Sequence, residues 1–359
     1  MYSSSMRVRL VLAVVVLLAA CVRCEPTREA AGDVVDKAEP ASEKAPPRPL
    51  PNTEVTRVPV LETPPVEGLE VWAEAPMTVD AFMAQATAVG IDLRHTVRVS
   101  SIPELLRALA PNTAIVLAPG RHVFEDSKIL AEPEERAALP KWAELSEFYD
   151  DGELHDLHDV AIIGAGPEPT VVLQADGYAP ALSLRNVKNI ALHGLTLGHH
   201  PEQGWCKGGV VRVIEGENVL ITDSTLFGSG TEGLSLVTVD GLRIIDSVIT
   251  NSSEQFSSIS QSRSISYERV RIIGNRSDLL RGFAIHHSEV SLSDCVIANN
   301  KPLSWESRNS YGLLFSIDGS YDPGQWFVDE PRPIGTGLSQ SEVTLRNTMI
   351  DGQRFDQRL

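Results

Sequence analysis

A short hydrophobic phrase recurs through the second half of the chain, and it limits the fold more than any other feature of the 359 residues. The phrase reads apolar, any, apolar, any, any, small or apolar, any, apolar, with Gly or Asn close behind. It runs from Ile190 to Leu197, then from Val219 to Leu226, Leu242 to Ile249, Ile265 to Ile272, Val290 to Ile297 and Val343 to Ile350. Starting positions 190, 219, 242, 265 and 290 lie 29, 23, 23 and 25 residues apart, and the last step of 53 holds an insertion. Val160-Ala161-Ile162 opens an earlier copy. About eight residues ahead of most copies stands a second alternating stretch: Leu182-Ser183-Leu184, Val211-Arg212-Val213, Leu234-Ser235-Leu236 and Ser257-Ser258-Ile259. Period-two alternation describes a strand with one buried face. Units this short cannot bury that face alone, so successive units must stack into one continuous core. Leucine-rich repeats require a Leu and Asn framework, and propeller blades run to about 40 residues or more. The spacing therefore predicts an all-β parallel solenoid with two or three strands per turn.

Upstream, Val97 to Ser101 reads as a strand, Pro103 opens a short amphipathic helix, and Ala114 to Leu117 reads as a second strand ending at Pro119-Gly120. Together with Ile162-Ile163-Gly164-Ala165-Gly166, this segment makes residues 96 to 359 resemble the pectin-lyase-like right-handed parallel β-helix superfamily. The resemblance implies a right-handed coil with an N-terminal capping helix, which closes a strand edge that would otherwise recruit other chains. The superfamily spans pectate lyases, polygalacturonases, other polysaccharide enzymes, phage tailspikes and non-enzymatic surface proteins. Its polygalacturonase pattern of Asn-X-Asp, Asp-Asp, Gly-His-Gly and Arg-X-Lys on successive turns is not reproduced. Asp150-Asp151 precedes the recognised turns, and His193-Gly194 follows Leu192. Glu330-Pro331-Arg332-Pro333 does not reproduce the catalytic arginine motif of pectate lyases either.

The N-terminus carries an address. Met1 to Arg9 holds two arginines and no acid, and Leu10 to Ala20 is unbroken apolar sequence, the plan of a secretory signal. Eleven apolar residues fall short of the roughly 20 needed to span a bilayer. Leu18-Ala19-Ala20-Cys21 resembles a bacterial lipoprotein signal, which implies lipidation of Cys21 and a membrane partner through that anchor. Val22 in place of Asp implies, on the same resemblance, the outer membrane. The chain thus divides into a signal at 1–20, a lipidated cysteine and proline-rich tether at 21–66, and the β-helix domain at 67–359 with an insertion near 303–337.

Charge narrows the partners. The net charge is −17, and without residues 1–20 it would be −19, with 29 basic against 48 acidic residues. Such a field repels phosphate backbones, which excludes nucleic acid as a favoured partner. Four cysteines, two of them in the N-terminal segment, make neither a disulfide scaffold nor a paired-cysteine zinc module. No cofactor and no metal is assigned. His199-His200 lacks a third ligand at suitable spacing, and adjacent His286-His287 should point to opposite faces of a strand. Cys295 shares an inward row with Leu195, Ser224, Ser247, Val270 and Thr348, which predicts a buried free thiol. Asn251, Asn275 and Asn299 fall near one turn position and predict a structural ladder.

Equivalent positions on successive turns lie about 4.8 Å apart, so the loops after Leu197, Leu226, Ile249, Ile272 and Ile297 should form one edge. Glu232, Glu254 and His199 are its candidate catalytic groups, because acids one or two turns apart approach the separations used by glycosidases. His200, Glu202, Trp205, Arg212, Asp278, Arg281, Trp305 and Trp326 are candidate binding groups, the tryptophans for stacking on sugar rings. Trp326 lies with Tyr321 and Phe327 in the insertion, read as a lid or cap. The functional expectation is a lipid-anchored envelope protein that engages an extended polysaccharide by binding. Two alternatives stay open: a polysaccharide lyase or glycoside hydrolase using the edge carboxylates, and a structural or adhesive envelope protein with no glycan ligand.

Overall fold

The computed structural model describes residues 77–124, 134, 137–144, 153–165, 169–175, 179–199, 209–228, 231–275, 281–300, 314–318 and 340–359. The chain divides into two units, Met1–Leu61 and Glu62–Leu359, and every described residue belongs to the second. These residues form a parallel β-solenoid whose turns each supply a leading, a middle and a trailing strand.

The strand pairing follows the sequence phrase residue for residue. Middle strands align Val160, Ile190, Val219, Leu242, Ile265, Val290 and Val343. Leading strands align Leu182, Val211, Leu234 and Ser257. The eight-residue phrase itself is two strands: Asp240–Ile245 is followed by Val248–Thr250, and Arg263–Glu268 by Arg271–Ile273. A single left-handed residue makes each corner between them, at Asp223, Asp246, Arg269 and Asp294 with φ of 48° to 55°. Asp tolerates that conformation, and Gly194 (φ 63°) reaches it without a Cβ to clash. The corner from leading to middle strand uses the same device at Glu215, Thr238, Gln261 and His287.

Inside each corner a small polar side chain satisfies the backbone of the turn below. Leu195 N–H donates to Ser224 Oγ (3.3 Å), and Ser224 N–H donates to Ser247 Oγ (3.2 Å). Cys295 continues this row, fully buried and free, with its Sγ–H directed at Tyr267 O (3.3 Å). Ser262, Ser288 and Ser341 form a second ladder of 2.9 to 3.0 Å bonds. The third runs through Ser252, Asn275 and Asn300, because Asn275 Oδ1 accepts from Ser252 N–H (2.7 Å) while its amide donates to Asn300 Oδ1 (2.9 Å). Asn251 and Asn299 do not join it; they supply left-handed backbone at φ of 59° and 55°. Between the ladders lies one aliphatic core from Val99 to Ile350, with Phe256, Tyr267, Phe283 and Phe315 packed as an aromatic group near the C-terminal end.

The capping helix is Ile102–Ala108 (α2). Ser101 Oγ accepts from Glu104 N–H, and Glu104 reaches back to Ser100 N–H (2.7 Å), so these two backbone donors at the helix entrance are satisfied. Ile102, Leu105 and Leu106 close the first turns of the core. A second helix, Val79–Ala88 (α1), was not expected from the sequence. It lies on the outside of the middle sheet, where Phe82, Ala86 and Ile91 pack on Ala114, Val116, Ala161, Ile163, Ala191, Leu220 and Ile245. Those strands therefore carry apolar residues on both faces. The Phe82 ring stacks on His193 at 4.3 Å, and His193 Nδ1 meets Thr222 Oγ1 at 2.8 Å. At the far end Gln353–Arg358 turns back antiparallel on Glu342–Ile350.

Candidate functional site

The outer face of the leading sheet gathers the polar groups that chemistry would use. Strand alternation sends Leu184, Val213, Leu236 and Ile259 into the core, so the residues between them face outward. The pairing Glu153–Ser183–Arg212–Ser235–Ser258 makes one outward row, one residue per turn. Beside it, at the start of the strands, Glu232 pairs with Gln255. The row is strongly withdrawn from solvent: Ser183, Ser235 and Ser258 are 0%, 1% and 3% exposed.

Glu153 organises the N-terminal part. Its carboxylate takes the Arg185 Nε–H at 2.6 Å, accepts from Ser183 Oγ at 3.4 Å and stands 4.0 Å from Arg212 Nη2, while Arg212 Nε–H donates to Ser183 Oγ at 3.0 Å. Both guanidiniums are thereby held by protein oxygen.

Glu232 is half-buried and its carboxyl is pushed up to about 6. Loss of hydration is the main cause, reinforced by the charge of Glu254 and opposed by Thr231 and by Arg212. Gly209 crosses close by; a Cβ there would stand 3.2 Å from Glu232 Oε1, so the bare backbone leaves room for the carboxyl. Glu254 N–H donates to Thr231 O at 3.0 Å, which sets Glu254 one turn and one residue away from Glu232. Arg281 donates its backbone N–H to Glu254 O on the next turn.

The structure places Glu232 at the start of a leading strand and Arg212 within one, while Glu254 and Arg281 lie on the loop edge just ahead of the leading strands Gln255–Ser260 and Phe283–His286. His199 is a correction. The trailing strand Leu195–His199 runs past Leu197, and alternation turns the imidazole inward, where it is 1% exposed and Nε2 lies 2.8 Å from Ala179 O. It is not on the exposed edge expected of a catalytic group. His200, Glu202, Trp205, Asp278, Trp305, Trp326 and Cys21 lie outside the described residues. The His286-His287 pair also differs from expectation. The left-handed corner at His287 (φ 45°) swings the two rings to 4.1 Å, and Asp318 Oδ1 accepts from His287 N–H at 2.9 Å. Among the described residues, no group of three His, Cys, Asp or Glu side chains is placed to hold a metal ion.

Sequence reasoning did not single out Glu153, Arg185 or Gln255, which the structure sets beside Arg212 and Glu232, and it read Ser235 and Ser258 only as part of alternating strands. The usable signal was the middle residue of each leading stretch: Ser183, Arg212, Ser235 and Ser258 are the outward member of an otherwise apolar triplet or its equivalent.

No protein-family model matches the chain, and no curated protein matches it. Solved structures similar to it include a pectate lyase, Pel9A, at 12% identity and a TM-score of 0.44, covering 63% of this chain. The chain spans 59% of that lyase's length. A glycosyl hydrolase assigned in Parabacteroides merdae is similar over 72% of this chain and 99% of its own, at 11% identity and a TM-score of 0.33. The A-module of a mannuronan C-5 epimerase from Azotobacter vinelandii is similar over 52% of this chain and 58% of its own, at 15% identity and a TM-score of 0.29.

Proposed function

We propose that the protein engages an extended polysaccharide laid along the outer face of the leading sheet, held at the cell envelope by a lipid on Cys21. The observation that carries this reading is the outward polar row Glu153–Ser183–Arg212–Ser235–Ser258, one group per turn. Turns repeat at about 4.8 Å, so a linear polymer parallel to the solenoid axis meets a periodic set of hydrogen-bonding groups. Trp305 and Trp326 are proposed as aromatic platforms for the same polymer.

Glu232 favours a second reading, cleavage of that polymer. A carboxyl raised to about 6 is half protonated at that pH and keeps a minor protonated fraction at neutral pH, far more than an ordinary glutamate. In that form it can give its proton to a leaving oxygen, while a neighbouring acid, Glu254, supplies the opposing charge or base.

Full-length protein in detergent, tested on a panel of immobilised polysaccharides with a parallel assay for new reducing ends, separates these readings. Retention without new ends supports binding. New ends that fall at least a hundredfold in Glu232→Gln support cleavage. Absence of both overturns the glycan reading and leaves an envelope structural protein. For the anchor, Cys21→Ser should move the protein from the membrane fraction to the soluble fraction; unchanged fractionation would remove the lipid from the proposal.

A further inference from the structure

Besides Ser235 Oγ, two further side chains on this face have polar atoms with no partner in a place that water does not reach freely. Gln255 is 4% exposed and Ser258 is 3% exposed, and neither Gln255 Oε1 nor Ser258 Oγ has a hydrogen-bond partner. Leaving a buried polar atom unpaired costs on the order of 1–3 kcal/mol, so native proteins leave few of them. Both lie on the strand Gln255–Ser260, three residues apart, Gln255 beside Glu232 and Ser258 beside Ser235. An amide oxygen can only accept, so what completes Gln255 is a donor: a hydroxyl or an amide N–H.

The charges around them point the same way. Among the described residues this face holds Glu153, Glu232 and Glu254 against Arg185, Arg212 and Arg281. Glu153 already engages two of the guanidiniums, Arg185 Nε at 2.6 Å and Arg212 Nη2 at 4.0 Å. An incoming carboxylate or sulfate would have to displace Glu153 and then meet Glu254, inside a protein whose net charge is −17. Sugar hydroxyls carry no such penalty and supply the donors that Gln255 and Ser258 lack.

We propose that the polymer taken by this face is an uncharged glycan, with hydroxyl or acetamido N–H groups donating to Gln255 Oε1 and Ser258 Oγ. The inference rests on the polysaccharide reading above and narrows it to a substrate class.

The test is calorimetric titration of the full-length protein at pH 7 with cellohexaose, xylohexaose and chitohexaose as uncharged probes, and with oligogalacturonate and oligomannuronate as anionic ones. Each titration is run at 20 and 200 mM NaCl. The expected result is binding of at least one uncharged probe with a Kd that changes less than twofold with salt, and at least tenfold weaker binding of both uronates. Gln255→Leu should weaken the uncharged probe about tenfold, and Ser258→Ala, a smaller change on the same face, should weaken it severalfold with the thermal transition retained. Uronate binding that equals or exceeds the uncharged probes and fades with salt would overturn the inference and leave the polysaccharide reading standing. Binding untouched in both variants would remove Gln255 and Ser258 from the site and overturn it likewise. Silence from all five probes, confirmed on the wider polysaccharide panel, would overturn the polysaccharide reading itself.

Discussion

A carboxyl that prefers its proton leaves a mark on stability as well as on chemistry. Glu232 sits in the folded chain at about 6, above its ordinary 4.5, so the fold binds this proton more tightly than the unfolded chain does. Its contribution is therefore complete below about 4.5 and is lost as pH rises through about 6, a change of about 2 kcal/mol at most. Urea midpoints of wild type and Glu232→Gln, compared at pH 4.5 and pH 7.5, should show the variant losing less stability across that interval. Equal losses would mean that the carboxyl is hydrated like any surface acid. The same residue shows what the sequence could and could not disclose. Glu232, Glu254, Arg212 and Arg281 were legible because the repeat places them on adjoining turns. Their partner Glu153 was not, since it precedes Ser183 by 30 residues and the only sign of the repeat between them is the partial copy at Val160-Ala161-Ile162, with no leading stretch marked around Glu153. His199 was misplaced by two residues' worth of strand: the phrase ends at Leu197, whereas the backbone keeps its pairing to His199 and turns the ring inward.

At the scale of elements, α1 is fastened to the solenoid from outside, with the Phe82–His193 stack at its centre. Phe82 and Ala86 are its fully buried residues, with Val79 and Met83 partly buried beside them and Ile91 just beyond, and Phe82 closes over His193. Burial lowers the affinity of His193 for a proton, opposed by Met77 O at 3.3 Å from Nε2; Asp223 Oδ2 stands 3.6 Å from Nδ1. A histidine whose folded titration is depressed stabilises the fold above its ordinary value and withdraws that support as pH falls below about 6.5. Acidification should therefore loosen α1 before the solenoid itself. Phe82→Ala removes the stacked ring at a cost of about 3–5 kcal/mol, felt first as release of the helix. Limited proteolysis should then cut near α1 at neutral pH, with hydrophobic dye binding to the uncovered Ala161, Ile163 and Leu220; a protected α1 in that variant would show that the helix is held elsewhere. The helix escaped the sequence reading because its evidence lay in other elements. Thr113–Leu117 and the second half of Val211–Thr222 are apolar on both faces, which is the imprint of a cover on the outer side. The middle and leading registers, by contrast, were readable to the residue, because a one-residue slip would carry every core side chain to the wrong face.

The whole molecule behaves as a stack in which each turn rests only on its neighbours, so its two ends bear responsibilities that its middle does not. α2 closes the first turns, and Gln353–Arg358 closes the last described one by running antiparallel to Glu342–Ile350. Removing residues 352–359 should leave the turns intact while uncovering a parallel-competent edge on Glu342–Ile350, and light scattering should then report mass that grows with concentration. A truncated protein that stays monodisperse would show that the edge is guarded by something other than this strand. Seen as growth, the solenoid resembles a crystal that lengthens one layer at a time, each layer a template for the next. Gln353–Arg358 is the impurity that poisons the growing face: by docking in the reverse sense, it presents a surface on which the next layer has no lattice to continue.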